Sequence, residues 1–475
     1  MKKIFILSYI LCFSVVLHAQ QEYSMHFLRG VWNSNYTNPG FSPRQTFFLG
    51  GVSGGASVSI KGLGSTPVFV EQSDGVYSPN FQEIIDNVDE DLRIRGNAVA
   101  DEFAIGFKAK KWFFSLNTAT KVSAQVNLPK NIFELAWYGN EAFIGETIEF
   151  GPSFSIDAYQ EIGLGVNYSF SRKLAAGVRV KRLIGIMSAF TSSDELSLST
   201  GTNHYETSIN TNYVANISTS FLNIVAPDDG QILNTTASVD EDALDDITQN
   251  YNLPQGNSGW GIDLGVSMNF KDRFELSASV LDLGYINYNT GVAGLQSSGS
   301  FNFDGLSFEE AVNGSTISFA PVLDSLSGLL SIQDVPGNTF RKQLAPKVYL
   351  SGMVKLGLWE LGGMFYNEFS NDGLVSSIGL SGRYVLDGRF SLGAVYAVHD
   401  GRFDNIGVNG TMRLGPLQLH VLVDNIFPLF RPERLEYTNV RAGVNIVFGT
   451  KKMKRFRKGR EDKIAPPVPP NSETR

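Results

Sequence analysis

Alternation with a period of two residues dominates the chain beyond about residue 45. Every second residue from Ile262 to Phe270 is apolar, and the residues between them are acidic, small or polar. Asn405 to Leu414 repeats this pattern, which recurs at 162–170, 174–180, 274–280, 348–356, 378–386, 390–398 and 440–448. Such alternation predicts β-strands. The second face is rich in Gly, Ser and Asn with an occasional Arg or Lys, which is typical of a membrane barrel with lipid outside and a polar lumen inside.

The lengths of the connections agree with a barrel. Long stretches separate some strands, at 61–100, 126–147, 188–257 and 286–345, whereas one or two residues separate others. The predicted strands are 46–60, 101–109, 111–125, 148–170, 173–187, 258–270, 273–285, 346–356, 358–369, 373–385, 388–399, 404–414, 416–425 and 439–448. The stretch 195–217 is predicted to be a hairpin within an outer loop. We therefore predict an all-β fold, a transmembrane antiparallel β-barrel of about 14 strands with long extracellular loops and short periplasmic turns.

Aromatic residues cluster beside the predicted short turns. They are Trp112, Phe113, Phe114, Tyr168, Phe170, Phe270, Phe274, Trp359, Tyr384, Phe390 and Phe448. Aromatic rings are good strand formers, but their concentration at one end favours an interfacial girdle at the level of the lipid headgroups.

The N-terminus has the features of an export signal. Lys2 and Lys3 precede an apolar run from Ile4 to Leu17, and Ala19 offers a small residue for cleavage. Residues 1–19 are therefore predicted to be a cleaved signal peptide, which directs the chain towards the cell outer membrane. Cys12 is the single cysteine and lies inside this signal, so the mature chain is predicted to have no disulfide and no cysteine-based metal site.

Composition excludes two further classes of protein. The 475 residues carry a formal net charge of −8, from 47 acidic and 39 basic side chains. A nucleic-acid-binding protein would show a basic face, so we expect no nucleic-acid partner. Apolar residues make up 43% of the chain, which is too many for a globally disordered protein.

Several short segments carry a resemblance to a known family. They are Asn38–Phe41, Gly177–Lys181 with Gly185, Trp260–Gly265, Ser277–Gly284 and Gly415–Leu419. With these segments the chain resembles a Bacteroidota family of outer-membrane barrel proteins with a domain of unknown function. More distantly it resembles barrel subunits linked to type IX secretion and gliding, and the long-chain fatty-acid transporter superfamily. The resemblance implies the compartment and the architecture. The family usually has alanine after Asn-Pro, where this chain has Gly40.

No motif for catalysis or metal binding stands out. His26, His204, His399 and His420 are far apart and lack the spacing of a metal site. His420 shares the polar phase of its strand with Gln418 and is predicted to face the lumen; a hydrolase built around it is a minor alternative. The acidic stretch 228–246 lacks the spacing and glycine of a calcium loop and is read as a solvated loop. We therefore predict no catalytic residues, no metal site and no cofactor.

Two hypotheses remain for the N-terminal residues 20–45, and two for the charged residues of the lumen. Trp32, Asn38 and Pro39 belong either to a plug inside the barrel, by analogy with the transporter superfamily, or to a short periplasmic lead-in. Lumen side chains are predicted on the polar phase at Arg179, Lys181, Asp263, Arg383, Arg413 and His420. They either select anions or bind a plug, or they form structural ion pairs inside the barrel.

The barrel is predicted to span 46–449 and to end at Phe448, an aromatic residue of the kind that the resemblance implies as an assembly signal. Residues 450–475 form a basic, proline-rich periplasmic tail. Its basic residues Lys451, Lys452, Lys454, Arg455, Arg457 and Lys458 are either an electrostatic tether to a periplasmic partner or a solvated appendage.

These observations predict a non-enzymatic outer-membrane barrel that contacts lipid and serves as a scaffold subunit of an envelope or secretion-associated system. Periplasmic or secretion-system proteins would then be its partners. The alternative is a transporter or channel for hydrophobic or small solutes through a plugged barrel.

Overall fold

Fourteen long strands close into one antiparallel barrel in the computed structural model of this chain. The structure describes residues 23–62, 69–71, 77–202, 206–219, 221–225, 236–243, 256–271, 273–303, 333–336, 338–370, 373–386, 388–399, 402–430 and 436–449. The barrel strands are β1 (Phe47–Lys61), β2 (Asp91–Ala109), β3 (Trp112–Pro129), β4 (Ser153–Ser169), β5 (Leu174–Thr200), β6 (Ser258–Phe270), β7 (Phe274–Tyr288), β8 (Lys347–Leu356), β9 (Trp359–Ser370), β10 (Gly373–Leu386), β11 (Phe390–His399), β12 (Arg402–Leu414), β13 (Leu417–Val423) and β14 (Tyr437–Phe448).

Each barrel strand pairs with the next along the chain, and β14 returns to pair with β1, where Phe448 lies opposite Phe47. Closure leaves no open edge, the condition under which strands can span a bilayer. The predicted transmembrane antiparallel β-barrel of about 14 strands is confirmed. Among the described residues, no helix is long and apolar enough to cross a membrane.

Side chains alternate across the wall as the polar and apolar pattern predicts. Ile262 and Leu264 on β6 are 42% and 46% exposed, whereas Asp263 between them is 1% exposed. The apolar residues of the strands therefore form an outer belt for lipid, and the polar residues line the lumen.

The two ends of the barrel differ. At one end, here called the turn end, the connections include 110–111, 170–173, 357–358 and 415–416. Lys110 and Gly415 have φ angles of 54° and 62°, in the left-handed region that tight turns need. At the other end, here called the loop end, the connections include 62–90, 130–152, 201–257 and 289–346.

Short elements lie beside or within the barrel wall, most of them at the loop end. Helices α2 (Phe81–Asn87) and α3 (Lys130–Tyr138) follow β1 and β3, and α4 (Phe427–Phe430) follows β13; α1 (Tyr23–Phe27) precedes the barrel. Two 3-10 helices span Trp32–Tyr36 and Asn140–Phe143. The remaining strands are Phe69–Glu71, Tyr77–Pro79, Thr147–Glu149, Thr207–Thr219, Leu222–Val225, Thr236–Val239, Val292–Phe303, Gln333–Pro336 and Phe340–Gln343.

Three sequence-based details are corrected. The second strand starts at Asp91 rather than at 101. The 195–217 hairpin is not separate from the wall, because its first arm is the upper part of β5, which pairs with Thr207–Thr219. Phe113 does not join the girdle: it is 1% exposed and lies inside the barrel, because Trp112 and Phe114 on either side of it occupy the outward phase.

Candidate functional site

The N-terminal segment, defined here as residues 23–45, lies inside the barrel. Most of its side chains are buried, including Tyr23, His26 and Trp32 at 1% exposed or less. Its only regular elements are α1 and the 3-10 helix Trp32–Tyr36, so it is held mainly by side-chain contacts with the wall.

Trp32 is at the centre of an aromatic cluster near the turn end. Its ring stacks on Phe48 of β1 at 4.2 Å between centroids, and Phe113 of β3 is 5.8 Å away. Ala104 and Val447 complete the cluster. The burial of these rings ties the 3-10 helix to β1, β3 and β14.

The Asn38–Pro39–Gly40 turn packs against two glycines on the inner face of the wall. Gly177 of β5 and Gly265 of β6 lie directly opposite each other in the register. A Cβ on Gly177 would lie 2.0 Å from the Pro39 carbonyl oxygen, and one on Gly265 would lie 2.0 Å from Asn38 Oδ1. The two glycines therefore allow the turn to touch the wall backbone.

Hydrogen bonds fix this turn from both sides. Asn38 Nδ2 donates to the carbonyl oxygens of Val266 (3.2 Å) and Ala278 (3.1 Å). Asn167 Nδ2 donates to the Pro39 carbonyl at 2.8 Å, and Ser267 Oγ donates to the Gly40 carbonyl at 2.8 Å. The structure thus brings Asn38 and Pro39 against β4, β6 and β7, whereas Trp32 contacts β1, β3 and β14.

His26 and Tyr23 of α1 also contact the wall, although no sequence motif marks them as site residues. His26 Nδ1 and Nε2 lie 2.9 Å from Thr37 Oγ1 and 2.8 Å from Ser351 Oγ, and its ring stacks on Tyr349. Burial lowers the pKa of His26 well below its usual range, and the nearby Arg29 charge acts in the same direction. The imidazole is therefore neutral and bridges the two hydroxyls.

A network of buried charges crosses the lumen beside the segment. Arg179 Nε is 3.0 Å from Asp263 Oδ2, and Lys181 Nζ is 2.7 Å from Asp263 Oδ1. Lys181 also contacts Asp282 and lies 3.6 Å from Glu161. Arg179, Lys181 and Asp263 are therefore brought together as ion pairs, in the way that buried charges must be compensated.

This charge network also holds the segment. Arg179 Nη2 donates to the Asn35 carbonyl at 2.7 Å. The Tyr36 ring lies between the guanidinium groups of Arg179, at 5.2 Å, and Arg441, at 5.5 Å, and Arg441 is itself paired with Asp101. Cation–π contacts in a desolvated site add to the ion pairs.

Asp282 reaches the network through an irregularity in β7. Its φ angle is 60°, and the β6–β7 register shifts between Ile262 and Leu264. The backbone N–H of Asp282 donates to Asp263 Oδ1 at 2.8 Å. This bulge turns the Asp282 carboxylate towards Lys181 and Lys347. Asp282 Oδ2 lies 2.8 Å from Lys347 Nζ.

The other predicted lumen residues are separate from this network. Arg383 pairs with Glu360, which also lies 3.6 Å from Arg44 of the segment. His420 is buried, and neither ring nitrogen has a hydrogen-bond partner among the described residues. Arg413 is half-buried at the turn end, where its Nε donates to the Gly415 carbonyl at 2.9 Å.

Two larger cavities lie towards the two ends of the lumen. At the loop end, a cavity of about 300 Å³ is lined by residues such as Arg95, Tyr288 and Lys342. At the turn end, a cavity of about 430 Å³ has one wall formed by the segment, through Arg29, Trp32, Asn35 and Arg44. Between them, a small space of about 50 Å³ lies within the charge network and is bounded by Tyr36 and Thr37.

The remaining predicted features lie at the end of the chain and in the outer loops. Phe448 is half-exposed on the outer face at the end of β14, with its ring 6.1 Å from that of Phe47. Its position is on the lipid face of the seam between the first and last strands. The tail residues from 450 onwards lie outside the described residues, as do 228–235 and 244–246 of the acidic loop. Within the part of the chain that is described, no group of His, Cys, Asp and Glu could hold a metal ion.

Three solved structures are among those similar to this one. The Ralstonia pickettii toluene transporter TbuX is 9% identical, covers 88% of this chain and 94% of its own, and has a TM-score of 0.42. A Pseudomonas aeruginosa FadL homologue is 10% identical, with coverages of 88% and 94% and a TM-score of 0.40. A deletion mutant of the monoaromatic hydrocarbon channel TodX is 11% identical, with coverages of 87% and 94% and a TM-score of 0.41.

Sequence comparisons give one family. The comparison with curated proteins gave no match. A model described as a family of unknown function, DUF5723, matches residues 39–424, from Pro39 in the wall-contacting turn to Asp424 after β13. This range covers most of the chain, and the protein therefore belongs to the DUF5723 family.

Proposed function

We propose that this protein is a non-enzymatic channel of the outer membrane, exported with a cleaved signal at residues 1–19, and that the N-terminal segment closes its lumen. The observation that carries the proposal is that the segment forms one wall of the turn-end cavity and, through Tyr36 and Thr37, bounds the small space between that cavity and the loop-end cavity. Fourteen strands enclose more space than side chains alone fill, so a barrel of this size needs a separate element to close it. Passage of a solute then requires the segment to move.

The cavity linings favour small polar solutes over hydrophobic ones. Charged side chains around the loop-end cavity are Arg95, Lys121, Asp157, Asp282, Lys342, Lys347 and Glu368. These charges are ion-paired, but an apolar solute would still displace the water from their remaining polar atoms, which is costly. Of the two solute classes in the transporter reading, small polar molecules are therefore proposed.

A reversible crosslink between the segment and the wall tests this proposal. Asn33 Oδ1 on the segment accepts from Asn445 Nδ2 on β14 at 3.0 Å, so cysteines at both positions are within reach of a short bis-methanethiosulfonate crosslinker, which a reductant removes. In liposomes, the barrel lacking 23–45 should pass small sugars, and the crosslinked Asn33→Cys/Asn445→Cys protein should not. Reduction should return the double variant to the wild-type rate. Equal permeability of the deleted, crosslinked and reduced proteins would overturn the proposal.

A scaffold role is the second candidate, supported by a different surface. Several large apolar side chains at the loop end are exposed, namely Trp137, Tyr138, Phe403, Leu429 and Phe430. Contiguous apolar patches mark interaction sites, and the scaffold candidate requires these side chains to form one such patch. A secretion-associated partner, as the sequence resemblance implies, should then co-purify from gently solubilised membranes, and replacing Trp137 and Phe430 with Ser should abolish its recovery without changing permeability.

A further inference from the structure

The turn-end cavity is strongly basic although the chain as a whole is acidic. Of the charged residues that line it, one is acidic, Glu275, and the others are basic: Arg29, Arg44, Lys108, Lys110, Lys111, Arg172, Lys173 and Lys355. The net charge of the whole chain is −8. Positive charge is therefore concentrated at this mouth of the barrel, where it attracts anions.

The single acidic group does not neutralise the cavity. Glu275 is already shared by Arg29, at 2.6 Å, and Lys355, at 3.5 Å. Among the described residues, no carboxylate lies within ion-pair distance of Lys110, Arg172 or Lys173, which follow β2 and precede β5. These three cations are thus available to a ligand.

The opposite wall of the cavity belongs to the segment. The Arg29 side chain is 6% exposed, and its guanidinium lies 3.4 Å above the centre of the Phe41 ring. Its Nη1 has no hydrogen-bond partner among the described residues. Buried cationic donors usually find acceptors, so this unpaired nitrogen is a second indication of an anionic ligand.

We propose that the turn-end cavity binds a small polyanion with carboxylate or phosphate groups, which bridges the turn lysines and the N-terminal segment. Its volume of about 430 Å³ lies in the range of small-molecule sites, roughly 300–1,000 Å³. Because the ligand would contact both the wall and the segment, its binding stabilises the seated segment. This inference does not depend on whether the barrel conducts.

Calorimetric titration of the full-length protein in zwitterionic detergent tests the site, with inorganic pyrophosphate and citrate as probes at constant ionic strength. One of the two should bind at one site per barrel, and the one that binds identifies the anionic group. Lys110→Gln/Arg172→Gln/Lys173→Gln should weaken binding about tenfold, since three exposed cations that would contact the probe are lost and each contributes modestly. The matched control is Lys271→Gln/Arg389→Gln/Arg413→Gln, which removes the same number of basic residues from the turn end at positions that do not line the cavity.

A second measurement locates the ligand. The bound probe should raise the thermal midpoint of the wild-type protein and slow the reaction of a Ser42→Cys thiol, since Ser42 lines the cavity on the segment side. Absence of binding by both probes would overturn the proposal. An equal loss of binding in the triple variant and the control would also overturn it, because it would show diffuse attraction rather than a site. Binding of an acidic peptide alone would contradict the small-molecule assignment.

Discussion

At the scale of single residues, the contact between the Asn38–Pro39–Gly40 turn and the wall depends on the missing side chain of Gly265. A Cβ there would lie 2.0 Å from Asn38 Oδ1 and 2.7 Å from the Gly40 nitrogen. We predict that Gly265→Ala destabilises the seated segment by about 1–3 kcal/mol, the usual cost of overpacking. Thermal unfolding and the reactivity of a Ser34→Cys thiol measure the change.

The matched control is Gly261→Ala on the same strand and the same inward face. Its added Cβ would meet only side-chain atoms, the nearest at 3.6 Å from Lys181 Cδ, which is ordinary contact. Equal effects of the two substitutions would mean that the glycine pair has no special role. Gly40 is subject to the same constraint, because a Cβ there would lie 2.5 Å from the Val266 nitrogen. The alanine that the family resemblance implies at position 40 would therefore require the turn or the wall to shift in this chain.

The lumen charge network leads to a second prediction. Lys181 is 3% exposed and is the cation that Asp263 and Asp282 share, so Lys181→Met would leave each buried carboxylate with one remaining partner, Arg179 or Lys347. We expect a loss of about 3–5 kcal/mol in the free energy of unfolding, measured by urea titration in detergent. Lys342→Met breaks a more exposed pair with Asp157, 20% and 16% exposed, and should cost no more than about 1 kcal/mol. Similar losses in the two variants would contradict a dominant role for the central network.

At the scale of elements, the strands could be predicted from the sequence because one face of each is apolar towards lipid and the other is polar towards the lumen. This difference between the two faces becomes smaller in the parts of the strands that extend beyond the lipid at the loop end. The upper part of β5, which runs to Thr200, is paired there with Thr207–Thr219, and polar residues such as Ser192 and Asp194 occur in it. Leu92, in the upper part of β2, is covered by Ile84 and Phe133 from α2 and α3. Strand boundaries at the loop end are therefore set by tertiary pairing, which the alternating pattern does not encode.

The contacts between the N-terminal segment and the wall could not be predicted from the sequence either. Its enclosure depends on partners far along the chain, such as His399 for Tyr23 and Asp424 for Ser24. Trp32, Asn38 and Pro39 were noticeable as residue types, but nothing in their spacing shows which part of the wall each one meets. For Tyr23 and His26, the only sequence feature that pointed to a role in wall contacts was the richness of residues 23–45 in aromatic and amide side chains. For Phe113, strict alternation between neighbours was enough to place it opposite Trp112.

The orientation of the barrel is a prediction at this scale. In bacterial barrels the long connections face the outside and the short turns face the periplasm. Glu141→Cys, at the loop end, should therefore react with an impermeant maleimide on intact cells, whereas Arg172→Cys, at the turn end, should react only after lysis; both positions are exposed. The reverse pattern of labelling would show that the barrel is inserted the other way.

The last strand gives another prediction. Phe448 ends β14 on the lipid face, and Val444 and Ile446 share its outward phase. We expect Phe448→Asp to lower the amount of folded barrel in the outer membrane, measured as the heat-modifiable fraction on gels, because it removes the terminal aromatic and places a charge near the interface. Phe270→Asp is the control, since Phe270 is also an outward aromatic at a turn but ends an internal strand. A similar loss in both variants would indicate a general cost of charge on the lipid face rather than an assembly signal.

At the scale of the whole molecule, the basic tail is predicted to connect the barrel to another component of the envelope. Because β14 ends at the turn end, residues 450–475 should enter the periplasm, where the tail would act as an electrostatic tether to an acidic partner or anionic surface. Deleting 450–475 while keeping Phe448 should leave folding unchanged and abolish co-purification of that partner. Replacing Lys451, Lys452, Lys454, Arg455, Arg457 and Lys458 with Gln should have the same effect, whereas replacing Pro466, Pro467, Pro469 and Pro470 with Ala should not. Association of the intact protein should also weaken as salt rises, since exposed charges are screened beyond about 8 Å at physiological ionic strength. Association that survives both the deletion and high salt would show that the partner binds elsewhere, and the tail would then be a solvated appendage.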